Sequence, residues 1–276
     1  MKQSLPEYSV LMSVYFKETA GNLRESMMSI CRQSFAPNDF VLVCDGPLTP
    51  ELDAVIDEMQ ELFGDVLAVL RLEKNGGLGK ALNAGLQQCK NEIVIRMDSD
   101  DISAENRCRM QVGYLEQHPD VDILSGTVEE FFDSIDSVFG KRELPCEHKS
   151  ICTFSKKRNP FNHPATAFRK KAVFAAGSYD ETFHLFEDYY LWIRMLMKGF
   201  RGHNLNKTLV YMRTPPDMYK RRGGFQYAED MLRFHWWMKM SGWSSMLDFL
   251  TGAVPHAVVC ILPNHFRKIF YEVLHK

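Results

Sequence analysis

Three carboxylates fall within four residues at Asp98-Ser99-Asp100-Asp101. Negative charges this close repel one another, and near a sheet end they need a cation or hydrogen bonds to compensate. Hard carboxylate oxygens suit magnesium or manganese, ions that commonly bridge to phosphates. The same run would also serve as an Asp-rich turn that caps the next helix. A second stretch reads Asn75-Gly76-Gly77-Leu78-Gly79-Lys80-Ala81-Leu82-Asn83-Ala84-Gly85. Glycines ahead of a helix let backbone amides approach a phosphate, whose charge the helix N-terminus favours. The stretch is neither a Walker loop nor the dinucleotide fingerprint, and a plain strand-to-helix turn has the same composition. A third feature is Glu187-Asp188, two acids that open an aromatic-rich helical run. Such acids complement the helix dipole, and one held over a sheet rim would act as a general base.

These residues need elements to hold them. Ser9–Tyr15 is a short apolar run that reads as a buried strand opening into a loop. Phe40–Cys44 is a second, halted by Asp45-Gly46-Pro47; Val66–Leu72 is a third; Glu92–Met97 is a fourth and runs directly into Asp98. Helical patterns separate them at Asn22–Gln33, Pro50–Phe63 and Leu78–Cys89. The alternation predicts a mostly parallel sheet with helices on both faces. Ligands bind beyond the carboxyl ends of such strands, so Tyr15, Asp45 and Asp98 are expected on one rim. Asn106–His118 then reads as a helix, Asp122–Phe132 as a strand and Glu187–Lys198 as a helix. From about 140 to 185 the pattern is irregular, broken by Pro145, Pro160 and Pro164. Beyond Arg201 the chain is basic and aromatic, and a helical region is expected.

The 276 residues suffice for one large α/β domain, or a catalytic domain with a helical tail. Hydrophobic residues at 45% and charged residues at 25% fit an ordered enzyme and not a disordered chain. A net charge of -2 provides no whole-chain field for nucleic acid, so no such partner is expected. The N-terminal Met-Lys-Gln-Ser-Leu-Pro-Glu-Tyr lacks the apolar core of a signal peptide, which predicts a cytoplasmic protein. Seven scattered cysteines without CxxC spacing fit reduced thiols. Cys146, His148 and Cys152 are poorly spaced for zinc and have no obvious fourth ligand.

The order of these features is more specific than any one of them. Ser13-Val14-Tyr15, Asp45 after the second strand, two Asn-x-Gly steps, Asp-x-Asp-Asp and then Glu-Asp together resemble the inverting family 2 glycosyltransferases, which have the GT-A fold. The resemblance covers about residues 8 to 200. It is nearest to bacterial enzymes of capsule, exopolysaccharide and O-antigen synthesis, such as those of amylovoran biosynthesis. It implies an α/β GT-A (Rossmann-like) catalytic domain over 1–212, with a nucleotide-sugar half at about 1–103 and an acceptor half at about 104–212. A helical, basic and aromatic tail follows at 213–276.

The resemblance also implies roles. Ser13, Tyr15 and Glu18 would line the nucleotide pocket, and Asp45 would hydrogen-bond the base, usually uracil. Asp98 would lie near the ribose and the metal, and Asp100 would ligate a divalent cation, Mn2+ or Mg2+. Asp188 would be the general base, and Glu187 would assist it or position the acceptor. His163, in Asn162-His163-Pro164, would either contact the acceptor or brace its loop. Many relatives carry Arg where this chain has Leu82, so the diphosphate contact would move to Lys80, or to Arg222 in Arg221-Arg222-Gly223-Gly224. The Gln-x-x-Arg-Trp signature of processive relatives is absent, which favours a single addition.

The implied reaction moves a sugar from a UDP-sugar to a glycan acceptor, one linked to a lipid diphosphate. A sugar-phosphate nucleotidylyltransferase would need a Gly-rich, Arg-containing loop that this N-terminus lacks. A non-catalytic glycan- or nucleotide-binding subunit is the alternative, and Asp100 and Asp188 argue against it. In the tail, Met246–Pro263 is apolar but interrupted by Asp248, Pro255 and His256, a poor transmembrane span. Asn264–Tyr271 mixes cations with large apolar groups, downstream of Trp236, Trp237 and Trp243. That composition predicts peripheral contact with the inner face of the cytoplasmic membrane. Packing on the catalytic domain or in a dimer is the other reading.

Overall fold

The computed structural model describes residues 5–183, 185–214 and 224–261. Its first half alternates as the sequence predicts: β1 (Tyr8–Val14), α1 (Ala20–Cys31), β2 (Asp39–Cys44), α2 (Pro50–Phe63), β3 (Leu67–Arg71), α3 (Leu78–Gln88) and β4 (Ile93–Asp98). The strands line up as β3-β2-β1-β4, all parallel. Their apolar runs are covered on both faces, as parallel strands require. α1 and α2 pack on one face through Leu23, Met27, Ile30, Leu52, Val55 and Ile56. α3 covers the other, setting Ala81, Leu82 and Leu86 on Leu11, Val41 and Val43. Gly85 permits that approach, since a Cβ there would lie 2.6 Å from Val43 Cγ2. Register pairs Ser13 with Asp98 and Val14 with Cys44, so the three strands end level. Tyr15, Asp45 and Asp98 therefore emerge on one rim.

Parallel order stops at β4. Next come β5 (Ile102–Ser103), α4 (Arg107–Gln117), β6 (Ile123–Phe131), β7 (Val138–Arg142), α5 (His148–Phe154), β8 (Ala167–Arg169), α6 (Lys170–Ala175), α7 (Glu187–Met197) and β9 (Gly202–Arg213). The sheet continues β4-β8-β6-β9-β5, with β7 on β6. Only β6–β9 is parallel in this half, and the other pairings are antiparallel. The sheet is therefore mixed.

Two expectations are corrected here. Residues 202–213 form a twelve-residue strand where a helical region was expected. β9 is held by pairing with β6 and β5, distant in sequence, which local basic and aromatic composition does not announce. The irregular stretch from 140 to 185 contains α5, β8 and α6, of seven residues or fewer each. Elements this short display too little of a period to be recognised.

The described tail is α8 (Phe225–Met240), α9 (Met246–Asp248), a π-helical turn at Phe249–Ala253, and α10 (Val254–Ile261). It packs on α7. Phe183, Phe186, Tyr189 and Ile193 interlock with Ala228, Met231, Phe234, Met238, Ala257 and Cys260. Phe234 is central, edge-on to Tyr189 at 4.8 Å and stacked on Phe186 at 5.5 Å. Of the tail's aromatics, Phe234 is core and Tyr227, Trp237 and Trp243 pack partly buried against it, and residues 264–271 lie outside the described residues. Among the described residues, no helix is long and apolar enough to cross a membrane.

Candidate active site

The acidic turn begins where β4 ends, and α1 fastens it from below. Ser26 Oγ donates to the Asp98 carbonyl at 2.6 Å, Ser99 Oγ to Glu18 Oε2 at 3.1 Å, and the Ser103 amide to Ser29 Oγ at 3.0 Å. The run caps no helix, because α4 starts only at Arg107, behind Asn106. One oxygen from each of Asp98, Asp100 and Asp101 lies within 4.8 Å of the others. Buried Arg96 grips the Asp98 carboxylate with both Nη1 and Nη2. Asp101 is buried, and its Oδ1 accepts from the Arg213 amide at 2.9 Å. Its Oδ2 has no hydrogen-bond partner among the described residues.

Burial pushes Asp100 up to about 7, with the Asp98 and Glu18 charges adding to it. Asp101 is raised well above the ordinary carboxylate range by burial and then by Asp100 and Asp98. Three converging carboxylates of this kind, one with an orphaned buried oxygen, fit a divalent cation.

The glycine turn is organised by Asp45. Its buried carboxylate accepts from the Gly76 amide at 2.7 Å and the Gly77 amide at 3.0 Å. Asn75 Nδ2 donates to the Asp45 carbonyl at 3.2 Å. Gly77, at φ +92°, adopts a backbone conformation costly to other residues and precedes α3. Asn83 clamps α3 to a distant loop: its Nδ2 donates to the Tyr179 carbonyl at 2.7 Å, and its Oδ1 accepts the Tyr179 amide at 2.9 Å. Leu82 is fully buried, so this position makes no phosphate contact. Lys80 Nζ lies 3.0 Å from Glu181 Oε2, both partly exposed. Ser13 is half-buried in β1 beside Asp98, and Tyr15 is 37% exposed at the rim. Arg222 lies outside the described residues.

The acidic pair stands opposite. Asp188 Oδ2 accepts from Asn159 Nδ2 at 2.7 Å. A Cβ on Gly79 would lie 3.6 Å from that of Tyr179 and 4.0 Å from that of Glu187, so the starts of α3 and α7 adjoin. Tyr179 fills the seam. Its hydroxyl is 3.0 Å from His163 Nε2, and burial raises it above its ordinary value. Arg96 opposes that rise, while Asp188, Asp98 and Glu187 add to it. Burial, followed by the Arg96 charge, pushes His163 well below its ordinary value. The His163 ring also lies edge-on to Trp192 at 6.0 Å.

Residues 9–177 match the sequence model of glycosyl transferase family 2. The chain belongs to that family. It is 38% identical to the UDP-Gal:alpha-D-GlcNAc-diphosphoundecaprenol beta-1,3-galactosyltransferase of Escherichia coli, over 99% of this chain and 98% of that protein. It is 40% identical to an amylovoran biosynthesis glycosyltransferase of Erwinia amylovora, over 83% of this chain and 84% of that protein. Among solved structures it resembles a mannosyltransferase of Pyrobaculum calidifontis in complex with GDP-Man and Mn2+. That likeness has a TM-score of 0.67 at 17% identity and covers 99% of this chain and 81% of the other, which supports the GT-A fold.

In this family 2 glycosyltransferase, four site residues escaped the sequence reading: Arg96, Asn159, Tyr179 and Arg213. Arg96 left a signal, a lone cation inside the buried run Ile93–Met97. Arg213 was hidden by the helical expectation for its region. Its Nε donates to the Asp100 carbonyl at 3.1 Å, and its guanidinium lies 4.7 Å from the Phe131 ring centroid. Asn159 and Tyr179 lie in the irregular stretch, where no periodicity marks them.

Proposed function

We propose that the chain is an inverting glycosyltransferase that moves one sugar from a UDP-sugar to a glycan on a lipid diphosphate. The observation that carries this is the cluster of Asp98, Asp100 and Asp101 at the rim, with the start of α7, which holds Glu187 and Asp188, adjoining the start of α3 behind the glycine turn. The printed name of the Escherichia coli relative, with its UDP-Gal donor and diphosphoundecaprenol acceptor, supports the substrate classes.

Ser13, Tyr15 and Glu18 line the nucleotide pocket. Asp45 reads the uracil imide N–H with lone pairs left after it accepts from Gly76 and Gly77. Lys80 leaves Glu181 for the diphosphate, joined by Arg222. Asp100 and Asp98 hold a divalent cation, Mn2+ or Mg2+, which when bound supplies positive charge to the leaving diphosphate. Asp188 takes the proton of the acceptor hydroxyl as that oxygen attacks the anomeric carbon. Asn159 orients its carboxylate. Glu187 and His163 position the acceptor. Attack opposite the diphosphate inverts the anomeric centre. Residues 1–212 form the catalytic domain, 1–103 serving the donor and 104–212 the acceptor, and the tail brings the protein to the inner face of the cytoplasmic membrane.

The test is a panel of UDP-sugars with a short-chain lipid-diphosphate glycan, read by UDP release and product mass. One donor is expected to yield a product heavier by one sugar and resistant to repeated addition. Saturable donor binding without UDP release for every donor and acceptor would refute catalysis.

A further inference from the structure

Among the described residues, the tail helices leave one apolar face uncovered. Leu247, Leu250, Val254, Val258 and Ile261 recur at three- and four-residue steps, and each is at least 37% exposed. Beside them Ala253, Ala257 and Cys260 turn inward and are buried. On α8, Trp236 and Met240 extend the exposed face, and Trp236 meets Phe249 edge-on at 5.5 Å. Soluble surfaces rarely leave so many large apolar side chains contiguous.

The charges around this face have one dominant sign. Of its acids, Asp248 is engaged in a capping box with Ser245, and Glu229 is exposed two turns before Trp236 on α8. Lys157 Nζ approaches Asp248 at 4.0 Å, and the Lys157 stem lies against Gly252. Lys156 precedes it, and Lys239 Nζ is 4.8 Å from the Trp236 ring centroid. With exposed Arg233 on the Trp236 face of α8, cations outnumber acids along the apolar stripe among the described residues. That chemistry suits an anionic lipid surface, where apolar insertion and cation attraction add.

The stripe is also tied to the acceptor side. The Gly224 amide donates to the Cys260 carbonyl at 2.9 Å, joining the end of α10 to the start of α8. In the first turn of α8, Tyr227 lies 5.5 Å from Phe186, which directly precedes Glu187-Asp188. We propose that Leu247, Leu250, Val254, Val258 and Ile261 rest on an anionic bilayer leaflet, and that this seats Asp188 to meet an acceptor emerging from it. The seating rests on the lipid-linked acceptor read above.

The test uses the full chain with vesicles of phosphatidylcholine, with and without phosphatidylglycerol. Wild type is expected to co-sediment with the anionic vesicles and only weakly with the neutral ones. Val254→Glu with Val258→Glu should abolish binding, and Lys156→Glu with Lys157→Glu should weaken it by about tenfold or more. Turnover on a water-soluble acceptor should stay unchanged in both variants, which also reports that they fold. For an acceptor carried in vesicles, KM should rise with kcat unchanged. Wild type that ignores anionic vesicles, or variants that bind them equally, would overturn the proposal. So would variants that disrupt a dimer in light scattering where wild type binds no vesicle. Vesicle binding needs no acceptor, so it is decided separately from the acceptor reading, and loss of binding with an unchanged vesicle KM would refute the seating.

Discussion

The rim at the end of β4 and the junction between α7 and α8 solve opposite problems. At the rim, Asp98, Asp100 and Asp101 crowd together, and burial raises the latter two. The Arg96 grip, the hydroxyls of α1 and the Arg213 hydrogen bonds to Asp100 and Asp101 offset that crowding only in part. At the junction, Phe183, Phe186, Tyr189 and Phe234 bury ring against ring. Aromatic burial of this kind stabilises the fold and performs no chemistry. The rim holds reactivity at the expense of stability, and the junction supplies stability that positions Asp188 from behind. Damage to the two should therefore separate activity from folding.

The largest effect is expected at the residue the junction positions. Asp188→Asn should preserve UDP-sugar affinity and fold, and should lower turnover by roughly 10²–10⁴. Stopped single-turnover assays with calorimetric donor titration check this, and near-normal turnover would remove Asp188 from the role of base.

Phe234→Ala attacks the junction itself. It should cost about 3–5 kcal/mol of stability, read by urea unfolding. Turnover per folded molecule on a water-soluble acceptor should fall less than roughly tenfold, which is about 1.4 kcal/mol. A stable variant without activity would mean that the junction serves chemistry directly.

Asp100→Asn attacks the rim. Turnover should drop by about 10²–10³, the scale of one lost electrostatic contact, and added manganese should not restore it. Its melting temperature should hold or rise, because a like charge is gone. Chelator should abolish wild-type transfer, and magnesium or manganese should return it. Full activity in excess EDTA, or a clear loss of stability in Asp100→Asn, would erase the contrast between the regions.

The smallest effect lies in the junction and depends on pH. Burial, with His256 nearby, pushes His235 down to about 4. Its unfolded value is near 6.5, so the unfolded chain binds the extra proton between these limits. Stability should therefore decline as pH falls from about 6.5 towards 4, by up to about 3 kcal/mol from this group. His235→Phe should flatten that slope in thermal melts recorded across the window. An unchanged slope would assign it to other groups.

How far these regions were legible follows from the range of the interactions that build them. β1 to β4 announced themselves because each is an apolar run ended by polar residues, and the helices between them carry their own period. Once such strands lie parallel, their ends share a rim, so Tyr15, Asp45 and Asp98 could be brought together from sequence. The acidic turn was legible because charge repulsion is a property of neighbouring residues. The mixed half was legible only in part: α4, β6 and α7 were expected from their patterns, but β9 exists through pairing with β6 and β5, and β8 has three residues fixed by β4 and β6.

The sequence by itself determined the alternating half, the carboxylates at its edge and the acidic start of α7. Tertiary structure alone decided that Asp45 shapes the glycine turn, that Leu82 is core, and that Tyr179 joins the two halves. It also decided which tail residues are core and which form an exposed stripe. The physical reason is that burial and long-range pairing belong to the assembled chain, whereas charge, turn chemistry and periodicity are written locally.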